Sequence, residues 1–132
     1  MKSISYKVYF EHFAERHFIK SFAKKYKGAW DLTLQIIEEE FKQVDLLFLR
    51  NVAETIIDSK TVKICKTEFK IAGTQESRHG SGNRCIIAIH KEQNEVKVLL
   101  VYTKTDLSGH NETAEWQCIV KENYAEYRHL FK

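Results

Sequence analysis

The sequence predicts an α+β fold in which an N-terminal strand and helices pack on a small antiparallel sheet and a helix closes the chain. Three observations predict it. Apolar residues recur at helical spacing between residues 13 and 41, then give way to alternation and dense Ile, Val and Leu runs between residues 62 and 104. Polar segments at 73–83 and 92–95 cut that second region into strands. A helix-capping pattern returns at Asn111. With 132 residues, 43% of them hydrophobic and 30% charged, the chain is expected to form one domain over 1–132, large enough to bury a core without staples.

Taken in order, Ile4, Tyr6, Val8 and Phe10 alternate with polar neighbours and predict a strand over 4–10 that pairs with the later sheet. Phe13, Phe18, Ile19, Phe22 and Tyr26 form the stripe of an amphipathic helix that Gly28 stops. Leu34, Ile37 and Phe41 mark a second helix over 30–42, with Glu38, Glu39 and Glu40 on a solvated face. Over 44–57 the spacing of Leu46, Leu49, Val52, Ala53 and Ile56 favours a third helix, although 45–49 equally suits a loop packed into the core. In the next strand Val62 and Ile64 share one phase and Cys65, Thr67, Phe69 and Ile71 the other, so a bulge is expected near Ile64 or Cys65. Beyond it Lys66, Glu68 and Lys70 point together. Residues 83–91 and 96–104 read as a central antiparallel hairpin, and Trp116, Ile119, Val120 and Tyr124 as the apolar stripe of the last helix.

Charge is uneven. Residues 60–104 hold nine Lys or Arg against four acids, while residues 1–59 balance at nine each and residues 105–132 carry three cations against five acids. Cations concentrated on a sheet suit a phosphate-bearing polymer, whereas lysines scattered along strands would only guard edges. The longest apolar runs fall far short of a membrane span, and the first residues lack the apolar stretch of a signal peptide, so a cytoplasmic protein with no membrane partner is expected. Cys65, Cys85 and Cys118, each among apolar neighbours, suggest buried free thiols in a reducing compartment. No metal is expected, because no CxxC or HxxxH spacing begins a site. The Gly-rich loop has neither GxxxxGK[ST] nor a GxGxxG opening a helix, so it is read as a mobile segment rather than a nucleotide cradle. Ser77 and Ser81 lie on that loop without an oxyanion hole, which leaves a serine nucleophile unsupported.

The segments Lys66-Thr-Glu-Phe-Lys-Ile-Ala-Gly-Thr74, Arg78-His-Gly-Ser-Gly-Asn-Arg-Cys-Ile-Ile87 and Val98-Leu-Leu-Val-Tyr-Thr-Lys-Thr-Asp-Leu-Ser108 resemble the core of the RelE/ParE superfamily of toxin–antitoxin toxins. The HigB-like and RelE-like ribonucleases are the nearest branches. The resemblance covers residues 62–108 well and the two N-terminal helices loosely. It implies a RelE-like, microbial-ribonuclease-like sheet, a cofactor-free messenger-RNA endoribonuclease that acts on the ribosome, and a cognate antitoxin covering its basic face. The chain departs from the family in the longer segment 44–60 and in the tail 124–132.

RNA cleavage by the 2′-hydroxyl requires a base, an acid for the leaving 5′-oxygen, and cations around the pentavalent phosphorane. Glu68, flanked by Lys66 and Lys70, is a candidate base or a plain salt-bridge partner. His79 is of the residue type best suited to proton transfer near neutral pH, and an exposed loop histidine with no role is its rival reading. Arg84 heads an otherwise apolar strand and needs an anion, either phosphate or a buried partner such as Glu68 or Glu112. His110 is an alternative acid. Lys66, Lys70, Arg78 and Lys104 are candidate RNA contacts, with Tyr102 a base-stacking or core residue. His12, His17, His90 and His129 are read as structural or surface residues. The alternative function is a non-catalytic relative that acts by binding, as the ParE branch does with DNA gyrase, or a toxin-like domain repurposed for partner binding.

Overall fold

A computed structural model of the chain describes residues 4–107 and 111–131. Its centre is a five-stranded sheet in the order β1-β5-β4-β3-β2, built from β1 (Lys7–Phe10), β2 (Ala53–Asp58), β3 (Val62–Phe69), β4 (Asn83–His90) and β5 (Glu95–Thr103). Strands β2 to β5 pair antiparallel, as expected, but β1 joins β5 in parallel, matching Lys7 to Glu95 and Phe10 to Val98. The sheet is therefore mixed. Between its two edges the chain crosses one face as helices, which turns the N-terminal strand to run alongside β5.

That crossing comprises α1 (His12–Ala14), a π-helical turn (Glu15–Ile19), α2 (Lys20–Lys25), α3 (Ala29–Lys42) and α4 (Val44–Leu49). The apolar stripe accounts for the π turn. Phe13 and Phe18 stand five residues apart, and both pack inward only because the wider turn adds a residue between them. Gly28, at φ 82°, separates α2 from α3 in a conformation that would strain any side chain. Phe22, Trp30, Ile37, Phe41, Val44 and Leu47 from these helices meet Cys65, Phe69, Cys85, Ile87, Val96 and Val98 to form the first core.

The opposite face has a second core, in which Ile64, Ile86, Ala88, Leu100 and Tyr102 pack under Trp116 and Val120 of α5 (Glu112–Asn123). Asn111 caps that helix, its Oδ1 accepting from the Ala114 amide at 3.1 Å. The C-terminal segment continues as a 3₁₀ turn (Ala125–Leu130) that buries Tyr124 and Tyr127 against the same face, so the tail completes a core. Among the described residues no helix is long and apolar enough to cross a membrane.

Three expectations are corrected. Only residues 44–49 of the 44–57 segment are helical, and the remainder forms the edge strand β2. The bulge lies in β2 rather than β3: Thr55 pairs with Cys65 and Ile57 with Ile64, leaving Ile56 extra. Strand β3 pairs with β4 without interruption, and its apparent slip arises because its first half is covered on both faces while its second half is covered on one. Cys118 is exposed, two residues around α5 from the buried Trp116, and its thiol donates to Glu122 at 3.3 Å. Cys65 and Cys85 are buried, and loss of solvent pushes both thiols up to about 12.

Candidate active site

The α5 helix leaves part of its sheet face uncovered. Beyond its first residue lies a cleft of about 250 Å³ lined by Asn51, Val52, Ala53, Glu54, Lys66, Glu68, His79, Arg84, Lys104 and Glu112. Register explains the grouping. Glu54 is opposite Lys66, Glu68 is opposite Arg84, and Arg84 is opposite Tyr102, so these side chains share the face from the β2 edge inward.

At the centre, Glu68 binds two partners through one oxygen. Its Oε2 lies 2.6 Å from His79 Nδ1 and 3.2 Å from Arg84 Nη2. Arg84 is 1% exposed, and its Nη1 and Nη2 also donate to the carbonyls of Asn83 and His79 at 3.0 and 3.3 Å. The strand-heading arginine thus has Glu68 as its resting anion. His79, by contrast, has 79% of its side chain exposed, so its second nitrogen faces solvent. A carboxylate oxygen accepting at Nδ1 selects the tautomer with hydrogen there and leaves Nε2 as a free lone pair.

The loop that carries His79 is tied down, contrary to the mobility expected of its glycines. The Ala72 amide donates to Thr33 Oγ1 on α3 at 2.8 Å, and Arg78 makes two bonds to Glu40 at 2.7 and 3.1 Å. The Ser81 hydroxyl lies 2.6 Å from the Phe69 carbonyl, and the Lys104 amide donates to the Gly82 carbonyl at 2.9 Å. A Cβ at Gly80 would meet Ser77 Oγ at 2.8 Å, so this glycine permits a tight turn.

The candidate residues divide accordingly. Glu68, His79, Arg84, Lys66 and Lys104 come together in the cleft. Tyr102 is fully buried and donates its hydroxyl to Glu112 Oε2 at 2.6 Å, with burial and then that carboxylate raising its pKa, so it is not a stacking surface for a base. Arg78 is committed to Glu40, outside the cleft, which also means that Glu40 is not simply solvated. Lys70 follows the last residue of β3 and is exposed outside the cleft lining. His110 lies outside the described residues. The clustered charge of residues 60–104 is dispersed: Lys63 sits 4.6 Å over the Phe48 ring, Lys91 pairs with Asp58, and only Lys66, Arg84 and Lys104 reach the cleft.

Sequence reasoning did not anticipate the wall formed by Asn51, Val52, Ala53 and Glu54. The run Glu54-Thr-Ile-Ile57, rich in β-branched residues, was its available signal. Among the described residues no group of three His, Cys, Asp or Glu is placed to hold a metal ion.

The arrangement of an α+β sheet with helices crossing one face and a single helix on the other is that of a RelE-like fold. A chain in the crystal structure of the archaeal RelE–RelB complex from Pyrococcus horikoshii OT3 is similar at a TM-score of 0.51 and 11% identity, over 76% of this chain and 96% of that one. No protein-family model matches the sequence, and neither does any curated protein.

Proposed function

We propose that the chain is a toxin of the RelE class that cuts messenger RNA on the ribosome without a metal and is silenced by a cognate antitoxin. The similar chain comes from a structure described as a RelE–RelB complex, which supports a protein partner of that kind here. One observation carries the chemistry: the exposed His79 is held by Glu68 at 2.6 Å in a cleft that also holds Lys66, Arg84 and Lys104.

In this reading Nε2 of His79 takes the proton of the 2′-hydroxyl as its oxygen bonds to phosphorus. The P–O5′ bond breaks, the 5′-oxygen takes a proton from the ammonium of Lys66 or Lys104, and the products are a 2′,3′-cyclic phosphate and a 5′-hydroxyl. Glu68 holds the imidazole in the correct tautomer and stabilises the imidazolium that forms. Arg84, which donates to Glu68 and two carbonyls, holds that carboxylate in place. The two lysines oppose the charge that develops on the phosphorane oxygens.

Expression of the chain alone should stop amino-acid incorporation before DNA synthesis falls, and the purified protein should cleave RNA in the presence of a chelator. His79→Gln should slow cleavage by about two to four orders of magnitude with little change in RNA affinity, the effect of losing a general acid–base group. A variant that cuts at the parental rate would remove His79 from the chemistry.

A second reading, in which the chain acts by binding alone, is favoured by the charge balance of the cleft, where Lys66, Arg84 and Lys104 face Glu54, Glu68 and Glu112. DNA synthesis falling first, with no RNA cut, would select it.

A further inference from the structure

The nine cations and nine acids of residues 1–59 cancel in number but not in place. Arg16, Lys20, Lys24, Lys25 and Lys27 follow one another with no acid among them, whereas residues 31–58 hold seven acids and two cations. The structure keeps the two groups apart. All five cations are exposed along the π-helical turn, α2 and the residues just after it, and none forms an ion pair with a described residue. Like charges set this close repel one another, so the row attracts an extended anion.

We infer that this helical face is a second RNA contact, onto which the strand that occupies the cleft continues. The inference rests on the ribonuclease reading for the identity of the strand, and on two observations for its place. The first is continuity. Lys104 lines the cleft, while its neighbours Thr103 and Thr105 line a hollow of about 80 Å³ together with Ser21 and Lys25 of α2. The short 3₁₀ turn Lys104–Asp106 is thus a rim shared by both, with the cleft on one side and the cationic helix on the other. Asp106, also in the hollow, is held to the Thr103 amide at 3.2 Å. From Arg16 to Lys25 the helical backbone runs about 13 Å, enough to follow more than one phosphate.

The second observation is what the face lacks. Protein interfaces gather aromatic and apolar residues at their centre and are depleted of lysine. Among the described residues the large apolar side chains left exposed are Ile4, Tyr9, Leu32, Ile36, Leu46 and Leu49, and none of them falls between residues 12 and 28. There the apolar stripe of Phe13, Phe18, Phe22 and Tyr26 is turned into the two cores. Exposed lysines without an apolar centre suit a phosphate backbone, which they hold as point charges whatever the base sequence. The contact therefore supplies affinity rather than base choice, and RNA should bind more tightly the farther it extends beyond the cleft.

The test uses the intact chain and 2′-O-methyl oligouridylates, which lack the attacking hydroxyl, of about 4 and about 16 nucleotides. Fluorescence anisotropy across a salt series measures binding. The parent should hold the longer oligomer more tightly and with the steeper salt dependence. Lys20→Gln, Lys24→Gln, Lys25→Gln and Lys27→Gln combined should flatten the log–log salt slope for the longer oligomer by roughly 2–3, at about 0.7 per lost contact, and leave the shorter one nearly as before. The same four positions changed to Arg should keep the parental slope, which separates lost charge from a damaged fold. Cleavage of a short oligoribonucleotide at saturation should be unaltered in the Gln variant. No gain with length in the parent, a slope that the Gln variant retains, or equal losses for short and long oligomers overturns the inference. Intact RNA binding with lost binding of polyglutamate also overturns it, and assigns the face to an acidic protein segment. RNA held along the helix by a chain that cuts no RNA would instead sink the ribonuclease reading alone.

Discussion

Arg78 and Arg84 are six residues apart on either side of the same tight turn, and each binds one glutamate, yet the two pairs differ in almost every physical respect. Arg78 makes two bonds to Glu40 of α3, with both side chains about one-fifth exposed. It fastens the loop to the helical layer. Arg84 is 1% exposed on the opposite face, and its glutamate also holds a histidine that solvent reaches. The first pair is closed upon itself, while the second leaves a reactive group at its rim. An Arg–Glu contact alone therefore does not distinguish an anchor from an active site, and what surrounds the glutamate does.

The largest expected effect comes from breaking the buried pair. Arg84→Ala should destabilise the fold by about 3–5 kcal/mol, because Glu68 would remain in a confined position without its cation. Arg84→Lys should recover part of this and less of the cleavage rate, since a compact ammonium lacks the planar fork by which Nη1 and Nη2 reach separate acceptors. Urea denaturation beside single-turnover cleavage measures both, and a cost no greater than that of Arg78→Ala would erase the distinction between the pairs. Arg78→Ala should cost about 1–2 kcal/mol, the value of charge-assisted bonds that water partly replaces. Because three other ties hold the loop, its cleavage rate should fall far less than that of His79→Gln.

The histidines repeat the contrast more weakly. His79 faces solvent with a carboxylate, whereas His90, at the far end of the same face, is half-buried with its Nε2 2.7 Å from the Tyr127 hydroxyl. Burial first, then Lys97, lowers the His90 pKa below its ordinary 6.5. The unfolded chain therefore binds this proton more readily, so the contribution of His90 is complete above pH 6.5 and is lost as pH falls through the lowered value. His90→Gln should flatten the pH dependence of stability in that window by less than about 1.4 kcal/mol per pH unit. Urea midpoints between pH 7 and pH 5 would show it, and an unaltered slope would remove His90 as its source.

Much of the fold is legible because its elements advertise themselves locally. The stripe from Phe13 to Tyr26, the apolar hairpin strands and the Asn111 cap each follow from residues close in sequence. The same is true of the cleft centre, where alternation along β3 places Lys66 with Glu68 and an arginine on an apolar strand calls for an anion. Features depending on distant partners or broken periodicity are harder to read. Strand β2 hides because α4 uses the leucines just before it and the extra Ile56 interrupts its alternation. Arg78 reads as free because its partner lies 38 residues earlier, in a glutamate run typical of a solvated helix. The loop reads as loose because its glycines are visible, whereas the hydroxyl of Ser81 gives no hint that it will reach the Phe69 carbonyl.

The parallel pairing of β1 with β5 also bears on how the molecule comes into being. Lys7 waits for Glu95, and the cleft draws its lining from residues as far along the chain as Glu112. Contacts of such long sequence separation form late and slow a domain's folding. A nascent chain emerging from its N-terminus first can pair β3 with β4 and extend the hairpin, but it cannot seat its first strand or finish the cleft until most of its length is free. Synthesis and assembly are thus separated in time, and the completed site belongs to the finished molecule.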